Sequence, residues 1–149
     1  MKRSASAQWR GDLKSGNGSV TATSGAFSNL QYSFHTRFEE GKGTNPEELL
    51  AAAHAGCFSM ALSAQLGAAN LKPDAIDTTC EITLERQPDG FVITASHLNV
   101  TARIPGATKE AFDRAVLAAK TGCPVSKLYK AEITVTATLE GSGLAGGAA

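Results

Sequence analysis

Neither sign of charge prevails in this 149-residue chain, where fourteen Lys and Arg balance fourteen Asp and Glu. No net field therefore draws it to nucleic acid or to an anionic membrane surface, and neither is an expected partner. Charged residues amount to only 19%, low for a fully solvated monomer, which hints at a surface covered by a second subunit. Long apolar runs look scarce too, with none approaching the ~20 residues that cross a bilayer. The start, Met1-Lys2-Arg3-Ser4-Ala5-Ser6-Ala7-Gln8-Trp9, carries charge with no apolar stretch behind it, unlike a signal peptide. A cytoplasmic protein is expected. There are three cysteines and no Cys-x-x-Cys pair, which in a reducing compartment argues against a disulfide scaffold or a zinc site. Free thiols, catalysis or redox sensing fit better. No glycine-rich loop leads from a strand into a helix, so nucleotide binding has no support.

What is present reads as one domain over residues 1–140, followed by a flexible Gly/Ala-rich tail over 141–149. Ala5–Arg10 and Ser19–Ser24 have the pattern of strands around a glycine-rich loop. Leu30–Phe38 reads as a third strand, with Tyr32, Phe34 and Thr36 on one face and Arg37 on the other, near its end. A helix then opens at Asn45-Pro46-Glu47-Glu48: Asn45 suits the N-cap, Pro46 the first helical position, and Glu48 completes a capping-box pattern. Leu50, Ala53, Cys57, Met60/Ala61 and Ala64 form its apolar stripe, and Gly67 is the expected end. Two strands follow, Asp77–Arg86 and Gly90–Ile104, joined by a Pro88-Asp89-Gly90 turn. Thr108 can cap a second helix, which Thr121-Gly122-Cys123-Pro124 interrupts before a short helical piece to about Tyr129. Glu132–Leu139 is the last strand. The expected class is α+β, antiparallel sheets packed with helices.

Each cysteine has a plain structural reading. Cys57 on an apolar helix face serves as a small core residue, and Cys80, sharing a strand face with Ile82 and Leu84, does so still more readily. Cys123 is either a buried cap or a thiol whose thiolate is favoured by the helix start behind it. A Cys57 and Cys123 pair would carry specific chemistry. One thiolate attacks a peroxide oxygen and becomes sulfenic acid, and the second thiol condenses with it to a disulfide. Such a site needs a permanent cation held in place, and Arg37 with Glu47 is the available couple. Glu47 stands ten residues before Cys57, about 15 Å along the helix. It must act through an arginine or across a subunit interface. His54, three residues before Cys57, could tune the thiol, although a satisfied surface or interface histidine is its commoner role.

Phe34-His35-Thr36-Arg37-Phe38, Gly43-Thr44-Asn45-Pro46-Glu47-Glu48-Leu49, His54-Ala55-Gly56-Cys57-Phe58-Ser59-Met60 and Gly122-Cys123-Pro124-Val125-Ser126 together resemble the OsmC/Ohr family, over roughly residues 5 to 140. The resemblance implies a thiol-dependent peroxidase acting on organic hydroperoxides and on hydrogen peroxide. It implies Cys57 as the peroxidatic cysteine, Cys123 as the resolving one, Arg37 as the activating cation and Glu47 as its holder. Arg10 is a fallback, because related subgroups supply the arginine from another strand. Cys80 matches no functional position. An OsmC-like fold, an intertwined homodimer with active sites at the interface, no metal or other cofactor, and reduction by an external dithiol such as a lipoyl group are further implications. Two readings from other classes compete: a hydrophobic-ligand-binding or redox-sensing protein without turnover, and a thiol–disulfide exchange enzyme acting on proteins.

Overall fold

The computed structural model describes residues 1–141, so nearly all of the expected tail lies outside the described residues. The chain divides into two compact units, Met1–Leu49 and the part from Leu50 onward.

The first unit holds an antiparallel sheet of β1 (Ala5–Arg10), β2 (Asn17–Ala22) and β3 (Leu30–Tyr32), in that order. Ala5 pairs with Ala22 and Arg10 with Asn17. Gly18 lies where a Cβ would come within 2.7 Å of both the Trp9 and Tyr32 rings, which pack with centroids 5.5 Å apart. The third strand is much shorter than the alternation suggests. It stops at Tyr32, and α1 (Phe34–Phe38) begins. Ser33 and Thr36 close a reciprocal capping box: Ser33 Oγ accepts from the Thr36 amide at 3.3 Å, and Thr36 Oγ1 accepts from the Ser33 amide at 2.8 Å. Phe34 and Phe38, one turn apart, pack with their rings tilted and centroids 5.0 Å apart. Arg37 is therefore a helical residue, not one at a strand end.

Helix α2 (Pro46–Ala68) starts where expected. Asn45 Oδ1 accepts from the Glu48 amide at 2.7 Å, while the Glu48 carboxylate takes the Thr44 hydroxyl at 2.9 Å. Its end differs. The chain passes Gly67 and closes over Asn70, which adopts φ 59°. The Leu71 amide bonds the Leu66 carbonyl at 2.9 Å and the Asn70 amide bonds that of Gly67 at 3.0 Å. This is the Schellman pattern, with asparagine in the left-handed position that glycine was expected to supply.

The buried face of α2 also runs along a different line. His54, Phe58, Leu62 and Leu66, at every fourth residue, are each 0% exposed, while Met60 is 77% exposed. Burial follows the large side chains, because an alanine contributes little apolar area. Contrary to the sequence expectation, α2 is long and apolar enough to cross a membrane by length and composition alone, and 22% of its most apolar stretch is buried. Much of that apolarity comes from alanine (Ala51–Ala53, Ala55, Ala61, Ala64).

The second sheet orders β4 (Ala75–Gln87), β5 (Gly90–Arg103) and β6 (Glu132–Leu139). β4 and β5 are antiparallel across the Pro88-Asp89 turn, with a register shift at Thr83/Leu84. β5 and β6 run parallel, Ala95 opposite Glu132 and Ala102 opposite Leu139. The α+β class stands, but this pair departs from an all-antiparallel arrangement. α3 (Lys109–Gly122, capped by Thr108) and α4 (Pro124–Leu128) carry the chain back before β6 enters, which a hairpin could not do. Phe58, Leu62 and Leu66 meet Leu98, Val100, Ile104, Phe112, Val116 and Ala119 in one core cluster.

Candidate active site

The sequence-predicted residues are found in two groups, one in each unit. In the first, α1 presents Arg37 to Glu47 at the start of α2. Arg37 Nε donates to Glu47 Oε1 at 3.1 Å, and Nη2 donates to Oε2 at 3.0 Å. Two parallel bonds of this kind fix the guanidinium plane as well as its position. The Glu47 side chain is 11% exposed and that of Arg37 38%, so a nearly buried carboxylate anchors a half-open cation. Gly43 just before α2 has φ 130°, and a Cβ there would stand 2.6 Å from the Gln31 carbonyl, which accepts from the Thr44 amide at 2.8 Å. Arg37 also lies 5.2 Å from the Phe38 ring centroid. It lines a hollow of about 250 Å³ with Trp9, Leu13, Tyr32, Phe34 and Phe38.

In the second unit α2 and the α3–α4 junction bring the two thiols together. Cys123 caps the end of α3 and the start of α4 and is fully buried, while Cys57 is half-buried; both are free thiols. Cys123 Sγ donates to Cys57 Sγ at 2.8 Å, a short step from the ~2.05 Å of a disulfide. The environments differ in sign. Burial, then the hydrogen bond with Cys123, pushes the Cys57 thiol up, against a smaller pull from the Val125 amide. Burial also raises Cys123, but the bond with Cys57, the Ser126 amide and hydroxyl and the Val125 amide outweigh it, leaving that thiol below its ordinary value. The Cys123 sulfur makes no side-chain capping bond to α4, and a helix of five residues adds little dipole, so the bond with Cys57 and the local amides and hydroxyl account for the effect. Burial and the contact with Cys123 both disfavour a Cys57 thiolate, and a nearby cation would favour one.

Cys80 packs against the core cluster as expected, and its Sγ sits 3.2 Å from Ser96 Oγ and 4.0 Å from His54 Nδ1. His54 is the residue the sequence reading placed wrongly. It is 0% exposed, with Nδ1 2.6 Å from Ser96 Oγ and Nε2 2.8 Å from Ser126 Oγ. The Tyr129 ring stands edge-on at 5.0 Å. Its place four residues before Phe58 was the available signal: it continues the line of large buried residues. Burial pushes the imidazole below its ordinary value, so it is neutral at pH 7. Because the folded form resists protonation and the unfolded form does not, the unfolded chain binds more protons below about pH 6.5. Stability supplied by a neutral His54 is thus present above that pH and lost as pH falls. Thermal melts from about pH 7.5 to about 5.5 should show a falling melting temperature, with a flatter profile in His54→Gln. Among the described residues, no group of three or more His, Cys, Asp or Glu side chains is placed to hold a metal ion.

Residues 39–138 match the family model described as OsmC-like protein. The chain is 48% identical over 135 residues to the peroxiredoxin OsmC of Escherichia coli (strain K12), covering 91% of this chain and 94% of that protein. It is 34% identical over 100 residues to the organic hydroperoxide resistance protein of Xanthomonas axonopodis pv. citri (strain 306), 66% of this chain and 68% of that one. The crystal structure of the organic hydroperoxide resistance protein OhrB of Bacillus subtilis superposes with a TM-score of 0.65 at 25% identity, covering 92% of this chain and 98% of that chain. Matched by the family model over residues 39–138, by relatives across most of its length and in its fold, the chain belongs to the OsmC/Ohr family of cysteine-based, thiol-dependent peroxidases.

Proposed function

We propose that Cys57 attacks the hydroperoxide, that Cys123 resolves the sulfenic acid as a disulfide, and that Arg37 gripped by Glu47 supplies the cation. The observation that carries this reading is the pair of free sulfurs 2.8 Å apart. In the first step the Cys57 thiolate takes the terminal peroxide oxygen and the O–O bond breaks, releasing an alkoxide that is protonated to the alcohol. A guanidinium at that point offsets the charge developing on oxygen and lowers the cost of the thiolate. The reading requires an Arg37 guanidinium at a Cys57 thiol, from the same chain or from a second copy.

Substrates are organic hydroperoxides, with hydrogen peroxide accepted too. The aromatic and apolar lining beside Arg37 supports a substrate with an apolar tail. Electrons return from an external dithiol such as a lipoyl group, with no bound metal or prosthetic group. The largely open, alanine-rich face of α2 supports a homodimer, since small residues let a second helix approach closely. Residues 1–140 then act as one peroxidase domain, working in the cytoplasm. Stopped-flow mixing of reduced protein with cumene hydroperoxide tests the reading: rapid oxidation that depends on Cys57 is expected. Tight binding of the compound without oxidation would favour the ligand-binding alternative.

A further inference from the structure

His54 lies at the centre of a buried chain of polar groups that the peroxidase reading leaves unused. Its two ring nitrogens contact Ser96 and Ser126 at 2.6 and 2.8 Å. Ser96 is 0% exposed and Ser126 6%. Beyond Ser96 is Cys80 Sγ at 3.2 Å. Beyond Ser126, three residues along α4, is Cys123, whose sulfur is 2.8 Å from Cys57.

A neutral imidazole has one N–H and one lone pair, and each serine hydroxyl has a single proton. These counts allow two self-consistent arrangements. In one, Cys80 S–H donates to Ser96, Ser96 O–H to Nδ1, Nε2–H to Ser126, and the Ser126 O–H is left for the Cys123 sulfur. In the other, every bond is reversed, the Ser126 oxygen accepts from Cys123 S–H, and the Ser96 hydroxyl faces Cys80. The two states differ in the direction in which the ring and hydroxyl protons point along the chain.

We propose that His54 is the positioning residue for the resolving thiol: held by Ser96, it turns the Ser126 hydroxyl onto the Cys123 sulfur and keeps that sulfur ready to close the disulfide. This inference rests on the reading of Cys57 as attacking and Cys123 as resolving cysteine. The first arrangement is the favoured one, because Cys123 Sγ donates its proton to Cys57 and so turns a lone pair, not a proton, to the Ser126 hydroxyl. The step it assists is balanced as follows. The Cys123 thiolate attacks the sulfur of the Cys57 sulfenic acid, the S–S bond forms, and the S–O bond breaks with its electron pair. The leaving hydroxide takes up one proton, replacing the one Cys123 gave up, and departs as water. Without the oriented hydroxyl, Cys123 holds its proton more tightly at neutral pH and attacks more slowly. The first step, at Cys57, does not use the chain. The titratable groups facing this network are Cys80, with the Glu81 charge beside it, Tyr129, Cys123 and Cys57.

The test separates the two chemical steps. Reduced full-length protein is mixed with limiting cumene hydroperoxide, quenched at intervals and read by mass spectrometry for Cys57 sulfenic acid (as its dimedone adduct) and for the disulfide. In Ser126→Ala and His54→Gln, sulfenic acid should appear within roughly twofold of the wild-type rate, while disulfide closure slows about tenfold. Closure should also fall off at higher pH in both variants than in the wild type, and Ser126→Thr should restore it. Ser126→Ala leaves the histidine and the packed core in place, so it decides the matter if His54→Gln folds poorly. Closure at the wild-type rate in Ser126→Ala, or equal slowing of both steps, would overturn the inference. A wild-type protein whose Cys57 forms no sulfenic acid would instead overturn the reading beneath it.

Discussion

Replacing Cys57 with serine is expected to reduce hydroperoxide turnover by roughly 10³-fold or more, the scale seen when a covalent nucleophile is removed. A serine hydroxyl in the same half-buried place stays protonated and cannot displace an alkoxide from peroxide oxygen. Replacing Cys123 should have a different signature. The first oxidation survives, because Cys57 still attacks, but sulfenic acid then accumulates and a second equivalent of peroxide drives it to sulfinic acid. Turnover with a dithiol falls, and the protein is lost over successive cycles. Cys80→Ser should leave peroxide turnover close to wild type, since that thiol lies beyond Ser96 and is raised by burial. Consumption of cumene hydroperoxide, with the mass of the intact protein read in parallel, distinguishes the three variants.

Removing the cation is the next largest effect. Arg37→Ala should slow Cys57 oxidation by roughly 10²-fold, comparable to losing one preorganised donor at a developing charge. Lysine should not rescue it, because an ammonium cannot reproduce the two-point grip on Glu47. Glu47→Gln, which keeps an acceptor but loses the charge, should fall between, about tenfold down. The sign of the pH dependence follows from the thiol environment. Burial and the shared bond with Cys123 already push Cys57 up, so without Arg37 its thiolate appears only at higher pH and the pH–rate curve moves upward. The stability cost of Arg37→Ala should be modest, about 1 kcal/mol or less, because that side chain is 38% exposed. Stopped-flow rates across pH, with urea melts of the same variants, check both parts.

Much of this was legible where side chains dictate backbone directly. Asn45-Pro46 marks the start of α2, Thr108 caps α3, and the alternation of Ile133, Val135, Ala137 and Leu139 sets β6. The failures have local physical causes. Tyr32, Phe34 and Thr36 alternate like a strand, but Ser33 and Thr36 satisfy each other's amides and start a helix. Asn70, not Gly67, takes the left-handed cap, because asparagine also tolerates that region. The parallel β5–β6 pair depends on where α3 and α4 deliver the chain, a long-range outcome that periodicity does not encode. At the candidate site, chemistry and motif context singled out Cys57, Cys123, Arg37 and Glu47; the two sulfurs meet in one unit and Arg37 grips Glu47 in the other, and their roles are those proposed above. His54 was misplaced because a polar residue on a buried line is resolved only by its distant partners, Ser96 and Ser126, 42 and 72 residues away.

The two thiols as partners in one redox step are the centre of this account. The most direct test is peptide mapping by mass spectrometry after one equivalent of organic hydroperoxide, with free thiols blocked on quenching. A disulfide joining Cys57 to Cys123, with Cys80 recovered as a blocked free thiol, is the predicted result. A disulfide that includes Cys80, or Cys57 recovered unoxidised while peroxide is consumed, would contradict it.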